Sequence, residues 1–218
     1  MADYKKADFW QLKARKEGYP ARSVYKLKEI DEKFNLFSIS GKGTAKRILD
    51  IGAAPGSWSL YVLRKFASSS KNSDKRILVA ADLSPLSREF DNDSKNRGLF
   101  DSDNFFFIQG DVTADEVRET ILSKGLFDVI ISDVAPSTTG NHMVDAARSL
   151  ELSEIVISYA EKALIPGGNL TLKVFQGSGI DALLKQIRTL FKTVKTFKPQ
   201  ACRGESMETY FIGLGKKG

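Results

Sequence analysis

Asp82, Asp111 and Asp133 each close an apolar run, in "VAADLSP", "IQGDV" and "IISDVAP", and Lys173 interrupts another in "LTLKVFQG". A lysine inside an apolar strand is costly to bury unless it is paired or emerges into a cleft. Carboxylates at strand ends can accept hydrogen bonds from ligand hydroxyls, and they can equally cap a following helix. Asp111 is the most open to that second reading. Together these residues could position a polar substrate and manage a proton. Cys202 and His142 are the chain's one cysteine and one histidine, which excludes an internal disulfide, a cysteine-rich zinc site and a multi-histidine centre. Metal-independent chemistry is the expectation.

The stretch "ILDIGAAPGSWS" (48–59) runs from apolar residues into a glycine-proline-glycine turn. Trp58, Tyr61, Val62, Lys65 and Phe66 then recur with helical spacing. Gly52 and Gly56 mark a turn whose backbone must come close to something. Strand, glycine turn and helix are how a doubly wound sheet opens a nucleotide-binding crevice. Asp82, at the end of the next strand, can then accept hydrogen bonds from both hydroxyls of an adenosine ribose. The loop is not Gly-x-Gly-x-x-Gly, and Pro55 removes an N–H that a dinucleotide pyrophosphate would use. A nucleoside without phosphates fits better than a nicotinamide dinucleotide. S-adenosylmethionine is such a ligand, with the turn beneath its methionine part.

The elements that must hold these residues alternate. Strands are expected near 47–51, 76–82, 104–109, 127–133, 169–175, 193–198 and 208–214. Helices are expected near 57–67, 85–97, 114–123, 143–164 and 180–191, after a helical region over about 7–36 broken at Gly18 and Pro20. This order implies an α/β fold, a mainly parallel seven-stranded sheet with helices on both faces. "SSSKNSDK" (68–75) and "DNDSKNRGLFDSDN" (91–104) read as polar, partly mobile surface segments. Only "KPQACRGESM" (198–207) separates the last two strands, so the final strand is expected to run antiparallel. Its first residue, Glu208, then lies at the edge where the parallel strands end. The 218 residues suffice for one domain, a basic helical region (1–36) followed by an α/β core (46–215).

The formal net charge is +6. It concentrates at the ends, with eight Lys/Arg against four Asp/Glu in residues 1–30 and six against two in 192–218. Tyr4, Phe9, Trp10, Tyr19 and Tyr25 are interleaved with the N-terminal cations. Cations for phosphates and flat rings for unstacked bases suit a nucleic acid, although a solvated basic helix with core aromatics has the same composition. No apolar run approaches the roughly 18 residues needed to span a membrane, and the N-terminus has no signal-peptide apolar region. A cytoplasmic, monomeric protein is the expectation.

"DIGAAPGSW", "SDVAP", "PGGNLTLKVFQG" and "METYFIG", with "RSVYKLKEI" near the start, resemble the FtsJ-type ribose 2′-O-methyltransferases. The match runs from about Phe9 to Gly215. The resemblance implies a Rossmann-like methyltransferase fold that uses S-adenosylmethionine to methylate an RNA ribose. It implies a Lys-Asp-Lys-Glu tetrad at Lys26, Asp133, Lys173 and Glu208. It also implies cofactor positions at Gly52, Ala54, Pro55, Gly56, Trp58, Asp82, Leu83, Asp111 and Val112, with Asp133 near the methyl donor. The substrate it points to is a uridine of large-subunit ribosomal RNA, within the subunit. Transfer RNA and mRNA caps are the alternatives inside the family, and a non-catalytic role in ribosome assembly is the alternative outside it.

The chain departs from the family pattern at Ser57, where glycine is more usual, and in a longer segment over 84–104. Lys26 rests on the resemblance alone. Val24, Leu27, Ile30 and Phe34 mark the apolar face of its helix, and Lys26 lies off that face like a solvated lysine. The family role of Lys173 is general base. An unperturbed lysine, with a pKa of about 10.4, is protonated at neutral pH, so the alternative is a charged Lys173 that orients the hydroxyl.

Overall fold

The computed structural model describes residues 9–68 and 76–218. Two short helices lead the chain, α1 (Phe9–Lys16) and α2 (Val24–Phe34), separated at Gly18 and Pro20 as their backbone chemistry requires. A two-residue hairpin follows, β1 (Ser38–Ile39) and β2 (Gly43–Thr44). The main alternation is β3 (Arg47–Ile51), α3 (Ser57–Ser68), β4 (Ile77–Asp82), β5 (Phe105–Gln109), α4 (Asp115–Ser123), β6 (Phe127–Ser132) and α5 (His142–Ala163). It ends with β7 (Leu164–Phe175), α6 (Ile180–Leu190), β8 (Phe191–Phe197) and β9 (Glu208–Lys216). The seven-stranded sheet has the order β5-β4-β3-β6-β7-β9-β8. β9 lies between β7 and β8 and is antiparallel to both. All other neighbours pair in parallel.

Strand alternation divides the core between the two faces. Ile48, Leu78, Ala80, Val129 and Ile131 pack with residues of α1, α2 and α3. Leu49, Ile51, Val79, Ala81 and Ile130 pack on the other side with α5 and α6. α5 buries Val156, Ile157, Tyr159, Ala160 and Ala163 there. A large apolar side chain buried in this way contributes roughly 1.5 to 3 kcal/mol.

The expected helix over 85–97 is absent: residues 83–104 form successive turns between β4 and β5. Its sequence explains this. Asp, Asn and Ser side chains offer the backbone local hydrogen bonds that compete with a helix. The Asp93 carboxylate accepts the Lys95 N–H (2.8 Å), and the Ser87 hydroxyl accepts that of Glu89 (3.3 Å). Nor does the segment hang free. Asn96 is buried, and its amide donates to the carbonyls of Gly18 (2.8 Å) and Phe90 (3.0 Å) while accepting from Arg64. Phe100 joins the core. The segment is therefore a strap that ties the N-terminal region to the sheet. Of the other polar stretch, residues 69–75 lie outside the described residues.

Candidate active site

Strand ends β3, β4, β6 and β7 open onto a cavity of about 510 Å³, a size usual for a cofactor site. Gly52, Ala54, Pro55, Asp82, Leu83, Asp111, Val112, Asp133 and Lys173 line it. Gly56 and Trp58 do not. Trp58 is buried in the core, and its indole N–H donates to the Ser23 carbonyl (2.8 Å). Ser23 and Ala21, unforeseen from the sequence, close the cavity from the N-terminal side. Trp58 thus holds a wall of the cavity from behind. Ser57 does similar work, since its hydroxyl accepts the Ala21 N–H (2.8 Å) and donates to the Ala21 carbonyl (3.1 Å).

Gly52 has φ +79°, and a Cβ there would lie 2.5 Å from the Val134 Cα. The turn needs glycine because it presses on the backbone leaving β6. A Cβ on Gly56 would meet the Phe100 ring at 2.8 Å. Asp82 holds this loop: one carboxylate oxygen accepts the Ala54 N–H (2.9 Å) and the other the Ser84 N–H (2.8 Å). Asp111 accepts the Thr113 N–H (2.9 Å) and hydroxyl (2.8 Å), bonds that hold its carboxyl below the usual range. It does not cap α4, whose N-cap is Ala114. Under the loop, Asp50 is fully buried and accepts from the Ser59 hydroxyl (2.7 Å). Burial pushes its carboxyl up to about 7, against the pull of Ser59.

The tetrad converges on Asp133. Lys173 Nζ lies 3.2 Å from Asp133 Oδ1 and donates to the Asp133 carbonyl (2.6 Å). Lys26 Nζ lies 4.0 Å from the same Oδ1 and donates to Glu208 Oε2. Both lysine side chains are 8% exposed, so Lys26 is buried and ion-paired, contrary to a solvated helix position. Burial opposes the charges of Lys26, Asp133 and Glu208, and their partners overcome it. Burial works against Asp133, yet the Lys173 and Lys26 ammoniums hold its carboxyl below the usual range. Burial would likewise raise Glu208, and Lys26 brings it down. Desolvation pulls Lys26 down, and Asp133 and Glu208 more than offset it, so its ammonium is held above the ordinary lysine value.

Sequence reasoning missed Tyr210, whose buried hydroxyl donates to Asp133 Oδ1 (2.5 Å). Strand periodicity could have found it. Tyr210 is two residues beyond Glu208, hence on the same face, and β7–β9 pairing sets it opposite Lys173. Cys202 lies 3.9 Å from Glu208 Oε2, and burial pushes its thiol up to about 11, which leaves it a protonated neighbour and not a nucleophile.

The charges test which ligand the cavity can hold. Three carboxylates line it, Asp82, Asp111 and Asp133, and Lys173 is the one cation among the described lining residues. Phosphates would meet net negative charge there. A nucleoside without phosphates that carries a cationic centre would meet complementary charge, with Leu83, Val112, Val134 and Leu152 supplying apolar walls. The residues present therefore fit S-adenosylmethionine, which is a nucleoside with a sulfonium. They fit a dinucleotide poorly.

Comparison with known proteins agrees with this geometry. A family model described as FtsJ-like methyltransferase matches residues 19–216. A Treponema denticola protein named ribosomal RNA large subunit methyltransferase E is 44% identical, the alignment covering 99% of this chain and 98% of that one. A Borreliella afzelii protein of the same name is 42% identical, with 94% and 96% covered. A crystal structure described as a Plasmodium falciparum ribosomal RNA methyltransferase superposes with a TM-score of 0.69 at 26% identity, covering 92% of this chain and 100% of that one. Aeropyrum pernix fibrillarin, solved with natively bound S-adenosyl-L-methionine, shares the fold (TM-score 0.57, 16% identity, 88% and 76% covered). By sequence match over most of its length, the chain belongs to the FtsJ-like methyltransferase family.

Proposed function

We propose that this chain methylates a ribose 2′-hydroxyl of large-subunit ribosomal RNA, with S-adenosylmethionine as donor. The observation that carries this reading is the cluster of Lys26, Lys173, Glu208 and Asp133, of which Asp133 and Lys173 line a cavity charged for a sulfonium nucleoside. The names of the relatives support the RNA target. When bound, S-adenosylmethionine supplies an activated methyl group. The protein must then orient the acceptor and take up one proton. As the methyl passed from sulfur to the 2′-oxygen, Lys173 Nζ, having first released its own proton to solvent, would take up the hydroxyl proton. Asp133 and Tyr210 fix Lys173, Asp133 bears the counter-charge, and Glu208 keeps the Lys26 ammonium in place beside them. The test is to map 2′-O-methyls on large-subunit RNA from cells lacking the protein, then restore the missing one with the purified chain. RNA whose methyl pattern is unchanged in those cells would refute it.

Asp82 and Asp111 are assigned to the adenosine. Asp82→Ala is expected to weaken binding of the demethylated product, S-adenosylhomocysteine, by roughly 1 to 3 kcal/mol, the usual cost of losing a charged hydrogen-bond acceptor. Calorimetry reads this directly, and an unchanged affinity would remove Asp82 from the site.

The RNA track is assigned to a groove of about 780 Å³ between α1, α2 and the β8–β9 connection. Glu29 fastens that connection by accepting from the Gln200 (2.7 Å) and Ala201 (3.0 Å) N–H groups. Four lysines (Lys13, Lys28, Lys33 and Lys198) and three glutamates (Glu17, Glu29 and Glu32) line the groove with Trp10 and Phe197, Lys28 being paired with Glu17 (2.7 Å). Two of the interleaved aromatics are structural: Tyr19 and Tyr25 are buried, with Lys28 over both rings. Tyr4, Lys5 and Lys6 lie outside the described residues. Replacing Lys13, Lys33 and Lys198 by alanine is expected to weaken RNA binding and to flatten its salt dependence, by about 0.7 in slope for each phosphate left without its cation. Cofactor affinity should stay unchanged. An equal fall in cofactor affinity would make the groove structural.

A further inference from the structure

A second open groove, of about 690 Å³, lies between the first turns of α5 and the loop from β7 to α6. Its lining includes His142, Met143, Ala147, Gln176, Ser178 and Met207. We infer that this groove receives the base of the nucleotide being methylated, unstacked from the RNA. The inference rests on the reading of the tetrad given above.

Position is the first argument. The donor cavity reaches Asp133 and Lys173, whereas this groove reaches Met207, the residue before Glu208. The Gln176 N–H donates to the Met207 carbonyl (2.9 Å), and the Phe175 N–H to the Ser149 hydroxyl (3.0 Å). These bonds bind α5, the end of β7 and the start of β9 into one rim. A ribose with its 2′-hydroxyl at Lys173 faces the donor on one side and can extend its base to the other. In-line methyl transfer needs the attacking oxygen and the leaving sulfur on opposite sides of the methyl carbon.

Chemistry is the second. Among the described lining residues there is no lysine or arginine, and one carboxylate, Glu151, is present. Phosphate is disfavoured there and a flat, uncharged base is not. Two thioethers and an imidazole offer polarisable contact to a ring face, and the Gln176 amide and Ser178 hydroxyl offer hydrogen bonds to a ring edge. RNA enzymes that read an unstacked base use this combination of stacking and edge contacts.

Rigidity is the third. Met143 is 82% exposed, yet its backbone is fixed. The Asn141 side chain accepts its N–H (3.0 Å), and Asp145 accepts the N–H groups of Thr139 (2.7 Å) and Gly140 (3.2 Å). On the facing wall, a Cβ on Gly177 would lie 2.5 Å from that of Ala146, and one on Gly179 2.5 Å from Leu150 Cδ2. The walls are held at their spacing.

Ala147→Trp fills the groove from an exposed helix position. The assay is single-turnover methylation of unmethylated large subunits, with S-adenosylhomocysteine affinity measured on the same protein. The expected result is a rate at least thirtyfold lower with cofactor affinity unchanged. Met143→Ala, a milder change at the rim, is expected to lower the rate up to about tenfold through loss of its thioether contact with the ring. Wild-type rates in both variants would overturn the inference, and so would a parallel loss of cofactor affinity in both. A wild-type protein that leaves the subunits unmethylated would instead refute the methyltransferase reading, so the two failures are distinguishable.

Discussion

Lys173→Ala is expected to lower the single-turnover methylation rate by about 10³-fold, within the range that positioned general bases contribute, while cofactor and RNA still bind. The side chain lines the cavity from near the carboxyl end of β7, and its contacts are the carboxylate and carbonyl of Asp133. Its removal takes away a group needed mainly in the transition state. Lys173→Arg then separates two roles. Arginine keeps the charge but does not deprotonate in proteins. If Lys173 accepts the proton, the arginine variant should be about as slow as the alanine variant at every pH. A Lys173→Arg protein near the wild-type rate would overturn the assignment and move the proton to Asp133.

The legible and illegible parts of this site differ in a physical way. Asp82, Asp133 and Lys173 could be read because each breaks an apolar strand, and a strand fixes its side chains at a period of two. Glu208 could be placed because the short 198–207 connection forces an antiparallel return, and β9 does pair with β7 so that Glu208 faces Phe175. Lys26 was legible only by resemblance. Its helix packs by the spacing of Val24, Leu27 and Ile30, and the partners that bury Lys26 come from β6 and β9, far away in sequence. Tyr210 was hidden for the opposite reason: an aromatic in an apolar strand looks like core, and only the register shows that its hydroxyl ends at Asp133. The helix expected over 85–97 does not form because local Asp and Ser bonds compete with it. The same long-range logic removes Trp58 from the cavity. Its indole is committed to the Ser23 carbonyl, a contact that the spacing of the glycine turn cannot reveal.

Asp133→Asn is the second large effect, and it should appear in stability as well as rate. The asparagine keeps the shape and can still accept from Tyr210, but it carries no charge for the two buried ammoniums. Breaking a buried ion pair by removing one partner costs about 3 to 5 kcal/mol, and Asp133, with its side chain 15% exposed, is close to that case. The pH dependence has a definite sign. The folded-state pKa of Asp133 is depressed, so its stabilising contribution is fully present above the unfolded value of about 3.9 and is lost as pH falls through the folded value. The wild type should therefore exceed the variant in stability at pH 7, and the difference should shrink only in acid, below about pH 4. Urea unfolding at a series of pH values reads this difference. A gap that is constant from neutral pH into strong acid would show that the carboxylate charge is not what holds Lys26 and Lys173. The methylation rate of the variant should fall by at least about 10²-fold at neutral pH, because Lys173 loses the group that fixes its orientation toward the acceptor.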